Sequence, residues 1–460
     1  MGTNSLHTNQ DLFSNHYLKE VLPNDKQWGD CRGIEEAFDE ITKLYNDNAS
    51  SLPNLNEQQL ETEFIRPVLN ALGHHFIPQP RENTPEGIRY PDYALFDSKK
   101  TKQKASPLKG EEWKLFSKAI GLCEAKRWNR KLDLSSPKEP DLFDFERRNP
   151  AYQMHQYLLY SEVKWGILTN GRIWRLYERE RSKKLDRYYE VDLVSLINSD
   201  GPLFAAGVTR DKQLEAFKYF YMFFRVQAFP RFLDYVLEGS VRYAEAVGAE
   251  LKDNVYKALR ILAQGFVELK ENRMEPVRDK DLIRENCFVL LYRLLFILYA
   301  EAKKLLPVSN RSYLQHYSLE SIKEEVYARK DGPPYGGSIP MLWDRLSALS
   351  TLINKGDKGL GIAPYNGGLF DDKQHEFLKK YKIGDRWLAE VIDLLSRPQK
   401  KSTSKKEYID YSPLEVRDLG SIYEGLLENH LEVALEPMVA VKKGKKEHWK
   451  PLRERKGEEI

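Results

Sequence analysis

At 460 residues the chain is long for a single core, and at about 150 residues per domain it implies two or three. A formal net charge of +3 with 31% charged residues excludes a generic polyanion binder, so any affinity for nucleic acid has to come from local patches. Three widely spaced cysteines, Cys31, Cys123 and Cys287, argue against a disulfide framework and a cysteine-based zinc site, and fit a reducing, cytoplasmic compartment.

The polar start MGTNSLHTNQ carries no apolar signal core. Ile34, Phe38, Ile41 and Leu44 then recur at helical spacing and predict an amphipathic helix. A second helix is expected from Asn56 to Leu72, with Leu60, Phe64, Val68, Leu69 and Leu72 on its inner side and Gly73 as C-cap. The stretches RYPDYALF and AIGLCEAKRW read as two strands joined by an exposed, lysine-rich loop between Ser98 and Glu112, a loop able to touch phosphates. Asp92 opens the first strand. Glu124 and Lys126, two apart on the second, share a face. If the strands are neighbours, two carboxylates and an ammonium surround one point, a site for a hard divalent cation and a water.

A long polar excursion follows Trp128, and helical character returns at Ala151. Gln153 and Tyr157 stand four apart there and share a helix face, with Gln156 as the alternative glutamine. VKWGILTNGRIWRLYERE predicts a hairpin whose Asn170-Gly171 pair supplies an I′-type turn. Beyond about Val194 strands fade, and from Lys212 to the end the chain reads almost wholly helical, with Leu214–Phe229 and Cys287–Pro307 as aromatic and aliphatic core stripes. The latter, the most apolar run, is broken by Arg293, so no membrane span is expected. The run Gly332-Pro333-Pro334-Tyr335 lacks the polar residue that an amino-methyltransferase motif requires before its prolines, and no glycine-rich turn for S-adenosylmethionine accompanies it.

Pro91-Asp92 with Glu124-Ala125-Lys126 resembles the PD-(D/E)xK nuclease core, and the Gln153/Tyr157 pair resembles the QxxxY element of one branch of those nucleases. FSNHYLKEVLP, TEFIRPVLNALG, YNGGLFDD (Tyr365 to Asp372) and IDYSPLEVRDLGSIYEGLLE (Ile409 to Glu428) are similar to type IIG restriction-modification enzymes, which join an endonuclease to an adenine methyltransferase. The resemblance implies an α/β restriction-endonuclease-like N-terminal domain over residues 1–200, an all-α connector over 205–430 and a basic tail over 431–460. It implies Mg²⁺-dependent hydrolysis of double-stranded DNA as the cleavage part of a restriction-modification or phage-defence system. Asp92, Glu124 and the Ala125 carbonyl would hold the ion, Glu63 (or Glu61) would support it from the preceding helix, Lys126 would act on the water, and Gln153 would position the assembly.

The family's methyltransferase would begin after VKKGKKEHWKPLRERK, so a methyltransferase or target-recognition domain or subunit is an expected partner. The connector stripe Leu419, Ile422, Tyr423, Leu426 and Leu427 is where it would dock, with a mobile tail from about Val433. Cleavage of both strands needs two sites, which implies a transient homodimer on DNA. The basic run near residue 400 and the C-terminus are expected to touch the DNA backbone. The reading from a different class is a catalytically idle DNA-binding or protein-docking scaffold.

Overall fold

The computed structural model describes residues 7–85, 87–105, 111–133, 149–198, 201, 203, 207–329, 335–365, 367–397, 408–412, 414–427, 431–443 and 446–454. The basic run near residue 400, much of the excursion after Trp128 and the two prolines of the Gly332–Tyr335 run lie outside them. The chain forms two compact units, Met1–Ala244 and Glu245–Ile460.

The first unit is built on a mixed seven-stranded sheet. Strand β1 is Thr8–Gln10. Helix α1, Ile34–Asn48, buries Ile34, Ala37, Phe38 and Ile41, the stripe its 3.6-residue period dictates. Helix α2 runs through Glu57–Leu60, a π-turn at Glu61–Ile65, and Arg66–Ala71. Asn56 and Gln59 close a capping box at its start. Gly73, at φ +81°, ends it in the left-handed conformation that a side chain would oppose.

Strands β2 (His75–Pro78), β3 (Glu82–Thr84), β4 (Gly87–Arg89), β5 (Tyr93–Phe96) and β6 (Gly121–Ala125) follow. β3 and β4 pair only with each other. The expected exposed loop between β5 and β6 instead contains two helices, α3 (Lys99–Ala105) and α4 (Glu112–Phe116). Ser98 caps the first turn of α3 by accepting from the Thr101 N–H at 3.2 Å, which explains why a lysine-rich stretch coils rather than straying.

Helix α5, Pro150–Ser161, is capped by Asn149 and carries the chain to β7 (Trp165–Thr169), which lies parallel to β6. β8 (Ile173–Glu178) and β9 (Tyr188–Asp192) complete the order β1-β9-β8-β7-β6-β5-β2. The β7–β8 hairpin stands where its alternating residues predicted, but its turn is not of the I′ kind. Only Gly171, at φ +84°, has positive φ, whereas an I′ turn needs two such residues in succession. Asn170 serves through its side chain, which accepts from the N–H groups of Arg172 and Ile173 at 3.1 and 2.7 Å.

Alternation along the strands divides the core. Tyr93, Leu95, Cys123, Ala125, Ile167 and Trp174 face one side, packed with α1, α2 and the later helix Arg210–Phe224. Ala94, Phe96, Leu122, Leu168 and Tyr177 face the other, against α5. After the short α6 (Leu193–Ile197), α7 (Arg210–Phe224) places Phe217, Phe220, Phe223 and Phe224 in this first core. The boundary between the units falls inside the long helix α8, Phe232–Glu268.

The second unit is chiefly helical: α9 (Lys280–Ala302), α10 (Arg311–His316), α11 (Leu319–Ala328), α12 (Met341–Lys355), α13 (Glu376–Lys380), α14 (Asp385–Ser396) and α15 (Val416–Leu427). Buried Glu301 organises part of it, accepting from the Tyr313 hydroxyl and the Leu319 N–H at 2.8 Å and from the Glu320 N–H at 3.0 Å, so it caps α11 from a neighbouring helix. On α15, Leu419, Ile422 and Leu426 are buried, while Tyr423 is 37% exposed and lies against Tyr292 at 5.0 Å between ring centroids. The helical reading stops there. β10 (Met438–Lys443) and β11 (Lys446–Pro451) form an antiparallel hairpin, favoured by β-branched Val439 and Val441 in alternation. No helix among the described residues is long and apolar enough to cross a membrane.

Candidate functional site

β5 and β6 are antiparallel neighbours, with Tyr93 opposite Cys123 and Ala94 opposite Leu122. That register carries Asp92, one residue before β5, to the end of β6. The Asp92 carboxylate accepts from the Ala125 N–H at 2.7 Å, and the Asp92 N–H donates to Glu124 Oε2 at 3.3 Å. Lys126, just past the strand, donates from Nζ to Glu124 Oε1 at 2.6 Å. Glu124 is 4% exposed and Asp92 and Lys126 are half-buried, so this is a three-member cluster rather than a surface ion pair.

Burial, then the Glu124 charge, pushes the Asp92 carboxyl well above the usual carboxylate range, against the pull of Lys126 and the Ala125 N–H. Burial works to lower Lys126, but the carboxylates of Glu124, Glu57 and Asp92 hold its ammonium above the ordinary lysine value. Two carboxyl groups thus share one ammonium, and the Asp92 carboxyl is held toward its protonated form.

Helix α2 supplies a second rank of acids, and they are not the one first expected. Glu57 is half-buried, and its carboxyl is raised by burial and by Glu124 and Glu61, with Lys126 opposing. Glu61 accepts a short hydrogen bond from the Tyr93 hydroxyl and pairs with Arg66 at 3.6 Å. Glu63 is exposed and contributes to neither Asp92 nor Lys126. The reason is angular. At about 100° per residue, positions 57, 61, 64 and 68 line one side of a helix, and position 63 falls opposite. The apolar stripe of Phe64 and Val68 carried the information needed to choose Glu57 and Glu61.

Across the sheet, α5 presents Tyr157, whose hydroxyl is raised by burial and then by the charges of Glu124, Asp92 and Glu82. Gln153 is half-buried one turn earlier. Gln156, the alternative, is 5% exposed, donates to the Tyr152 hydroxyl at 2.7 Å and keeps a buried Oε1 without a partner. Sequence reasoning missed Glu82. It sits in β3 opposite Arg89, is 2% exposed, and among the described residues neither carboxylate oxygen has a partner at hydrogen-bond distance. Burial pushes it up to about 8, against Arg89 and the nearby Ser161 backbone. A glutamate in a three-residue strand carries no periodic signal that would have marked it.

Among the described residues no group of three or more His, Cys, Asp or Glu side chains is arranged to hold a metal, so there is no closed protein cage. The donor set at Asp92 and Glu124 is nevertheless of a kind that fits Mg²⁺, which takes one or two carboxylates and completes its shell with water and substrate oxygens. The Ala125 N–H is already committed to Asp92. No protein-family model, curated protein or solved structure matches this chain, so what the cluster does has to be argued from its own geometry.

Proposed function

We propose that the first unit is a Mg²⁺-dependent endonuclease of the PD-(D/E)xK, restriction-endonuclease-like class, hydrolysing phosphodiester bonds in double-stranded DNA as part of a restriction-modification or phage-defence system. One observation carries this reading: antiparallel β5 and β6 join Asp92, Glu124 and Lys126 in a cluster that sets two carboxyl groups around one ammonium, with Glu124 buried. Excess carboxylate is a cost to a protein unless a cation relieves it.

Asp92 and Glu124 would hold the ion. When bound, Mg²⁺ would polarise the phosphodiester and lower the pKa of its water. Lys126 is held protonated by its neighbours, which suits it to offset charge developing on phosphoryl oxygens rather than to remove a proton. Glu57 and Glu61 take the supporting role first given to Glu63. Gln153 positions the assembly, and Tyr157 closes it on the α5 side.

The type IIG reading extends to partners: a methyltransferase or target-recognition domain or subunit for the helical second unit, a transient homodimer on DNA, and a cytoplasmic setting. The idle-scaffold reading is favoured by one observation, the lack of a three-ligand metal group among the described residues. Nicking of supercoiled plasmid DNA decides between them. The full chain should nick with Mg²⁺ and not with EDTA, and Asp92→Asn should abolish nicking while leaving DNA retention on a gel unchanged. Retention without nicking in any divalent cation would establish the scaffold.

A further inference from the structure

Helix α9 is apolar almost all round, and Arg293 sits in its middle, 5% exposed. Its Nε donates to the Leu369 carbonyl at 2.7 Å, and its guanidinium carbon lies 5.6 Å from the Phe370 ring centroid. Among the described residues buried Nη2 has no hydrogen-bond partner, and no carboxylate stands within ion-pairing distance. Asp371 and Asp372 act on it only from farther away, and burial pulls its pKa below the ordinary arginine value. A buried cation without a counter-charge is costly. Glu301, on the same helix, shows the contrast, since its buried charge meets three donors.

Arg293 also lines a cavity of 240 Å³. Trp343, Leu290, Leu346 and Leu378 give it an apolar wall, and Ser347, Ser350 and Lys379 give it polar ones. At its edge Lys382 and Asp344 neutralise each other at 2.8 Å. That leaves Arg293 and Lys379 against Asp372, a surplus of one positive charge. Such a lining suits one anionic group and disfavours a polyanion.

We propose that this cavity binds a small organic anion, its phosphate or carboxylate head taken by Arg293 and Lys379 and its apolar body lying against Trp343. A guanidinium fork pairs with either head group through two parallel N–H donors. The motif YNGGLFDD thereby acquires a local role, since Leu369, Phe370 and Asp372 all border Arg293 or its cavity. This site is independent of the nuclease reading.

Thermal unfolding of the full chain, at constant ionic strength, tests it with phenyl phosphate, benzoate and neutral benzyl alcohol. Either anion at saturation should raise the midpoint by about 2–4 °C, with benzyl alcohol inert. A larger response to phenyl phosphate assigns a phosphate head, and a larger one to benzoate a carboxylate. Arg293→Met should lose the response while melting no lower than the unliganded wild type. Should that variant fail to fold, Lys379→Ala, altering an exposed side chain, should weaken binding by about threefold in calorimetric titration. No response from wild type, an equal response to the alcohol, or unchanged binding in Lys379→Ala would overturn the proposal.

Discussion

In the first unit buried charge comes as a crowded set, with Asp92 and Glu124 bound together, Lys126 between charges, and Glu57 and Glu61 one layer behind. In the second, Arg293 keeps a buried guanidinium whose hydrogen-bond partner among the described residues is one backbone carbonyl. Both arrangements cost free energy in the unliganded protein: the first sets two carboxyl groups around one ammonium, and the second holds a cation without an anion beside it. Folds tolerate such costs where a ligand removes them, which is why uncompensated charge points to a site and satisfied charge, as at Glu301, points to architecture.

Removing a cation from each unit should break this symmetry most visibly. Lys126→Ala should reduce nicking by about 10²–10³-fold or more, since a preorganised positive charge at the reacting phosphate is lost. It should also destabilise the unliganded first unit by about 3–5 kcal/mol, because buried Glu124 loses the ammonium that donates to it at 2.6 Å. Arg293→Met, in contrast, should not lower stability. Denaturant titrations of the two variants check the pair, and equal destabilisation by both would erase the distinction.

A smaller effect sharpens the picture on the α5 side of the sheet. Glu82 has a folded pKa of about 8 against an ordinary value of 4.5, so the folded state binds a proton that the unfolded chain releases. The resulting penalty is absent below about pH 4.5 and complete above about pH 8, so stability should fall as pH rises across that window. The fall should be on the order of a few kcal/mol. Glu82→Gln, which cannot ionise, should flatten it. Denaturation at pH 5, 6.5 and 8 measures the slope, and identical slopes in wild type and variant would mean that the carboxyl finds a partner in solution.

Local pattern made some of this legible in advance, and its limits have physical causes. The α1 and α2 stripes follow from a period of 3.6 that a sequence displays directly, and the two central strands and the β7–β8 hairpin from short apolar, aromatic-rich runs bounded by turn residues. Asp92, Glu124 and Lys126 could be named because a PD dipeptide and an ExK triplet mark them. Their union depended on pairing of β5 with β6, a contact across 26 residues or more that no local rule fixes. β1 is an edge strand of three residues, too few to show alternation. Helix α3 was hidden because lysine-rich runs read as solvated loops until a cap such as Ser98 is noticed. Arg293 looked like a mere interruption of an apolar helix. Its meaning lies in the partners it lacks, which only tertiary structure reveals.

The smallest expected effect bears on the residue first chosen from α2. Glu63 is next to Phe64 in the sequence, and that adjacency suggested an inward position. On a helix, neighbours in sequence lie about 100° apart, and residues three and four apart share a face. Glu63 accordingly points to solvent, while Glu61 reaches Tyr93 and Arg66 and Glu57 reaches the field of Lys126. Glu63→Ala should leave nicking within about twofold of wild type and stability within about 0.5 kcal/mol, the range of an exposed substitution. Glu61→Ala should cost about 1–2 kcal/mol, because the Tyr93 hydroxyl loses its acceptor and Arg66 its carboxylate, while Arg66 Nε still donates to that hydroxyl at 2.9 Å. A Glu63 variant that loses cleavage while Glu61→Ala keeps it would show that the working conformation rotates α2 at its π-turn, and that the second rank of acids is a property of the resting protein alone.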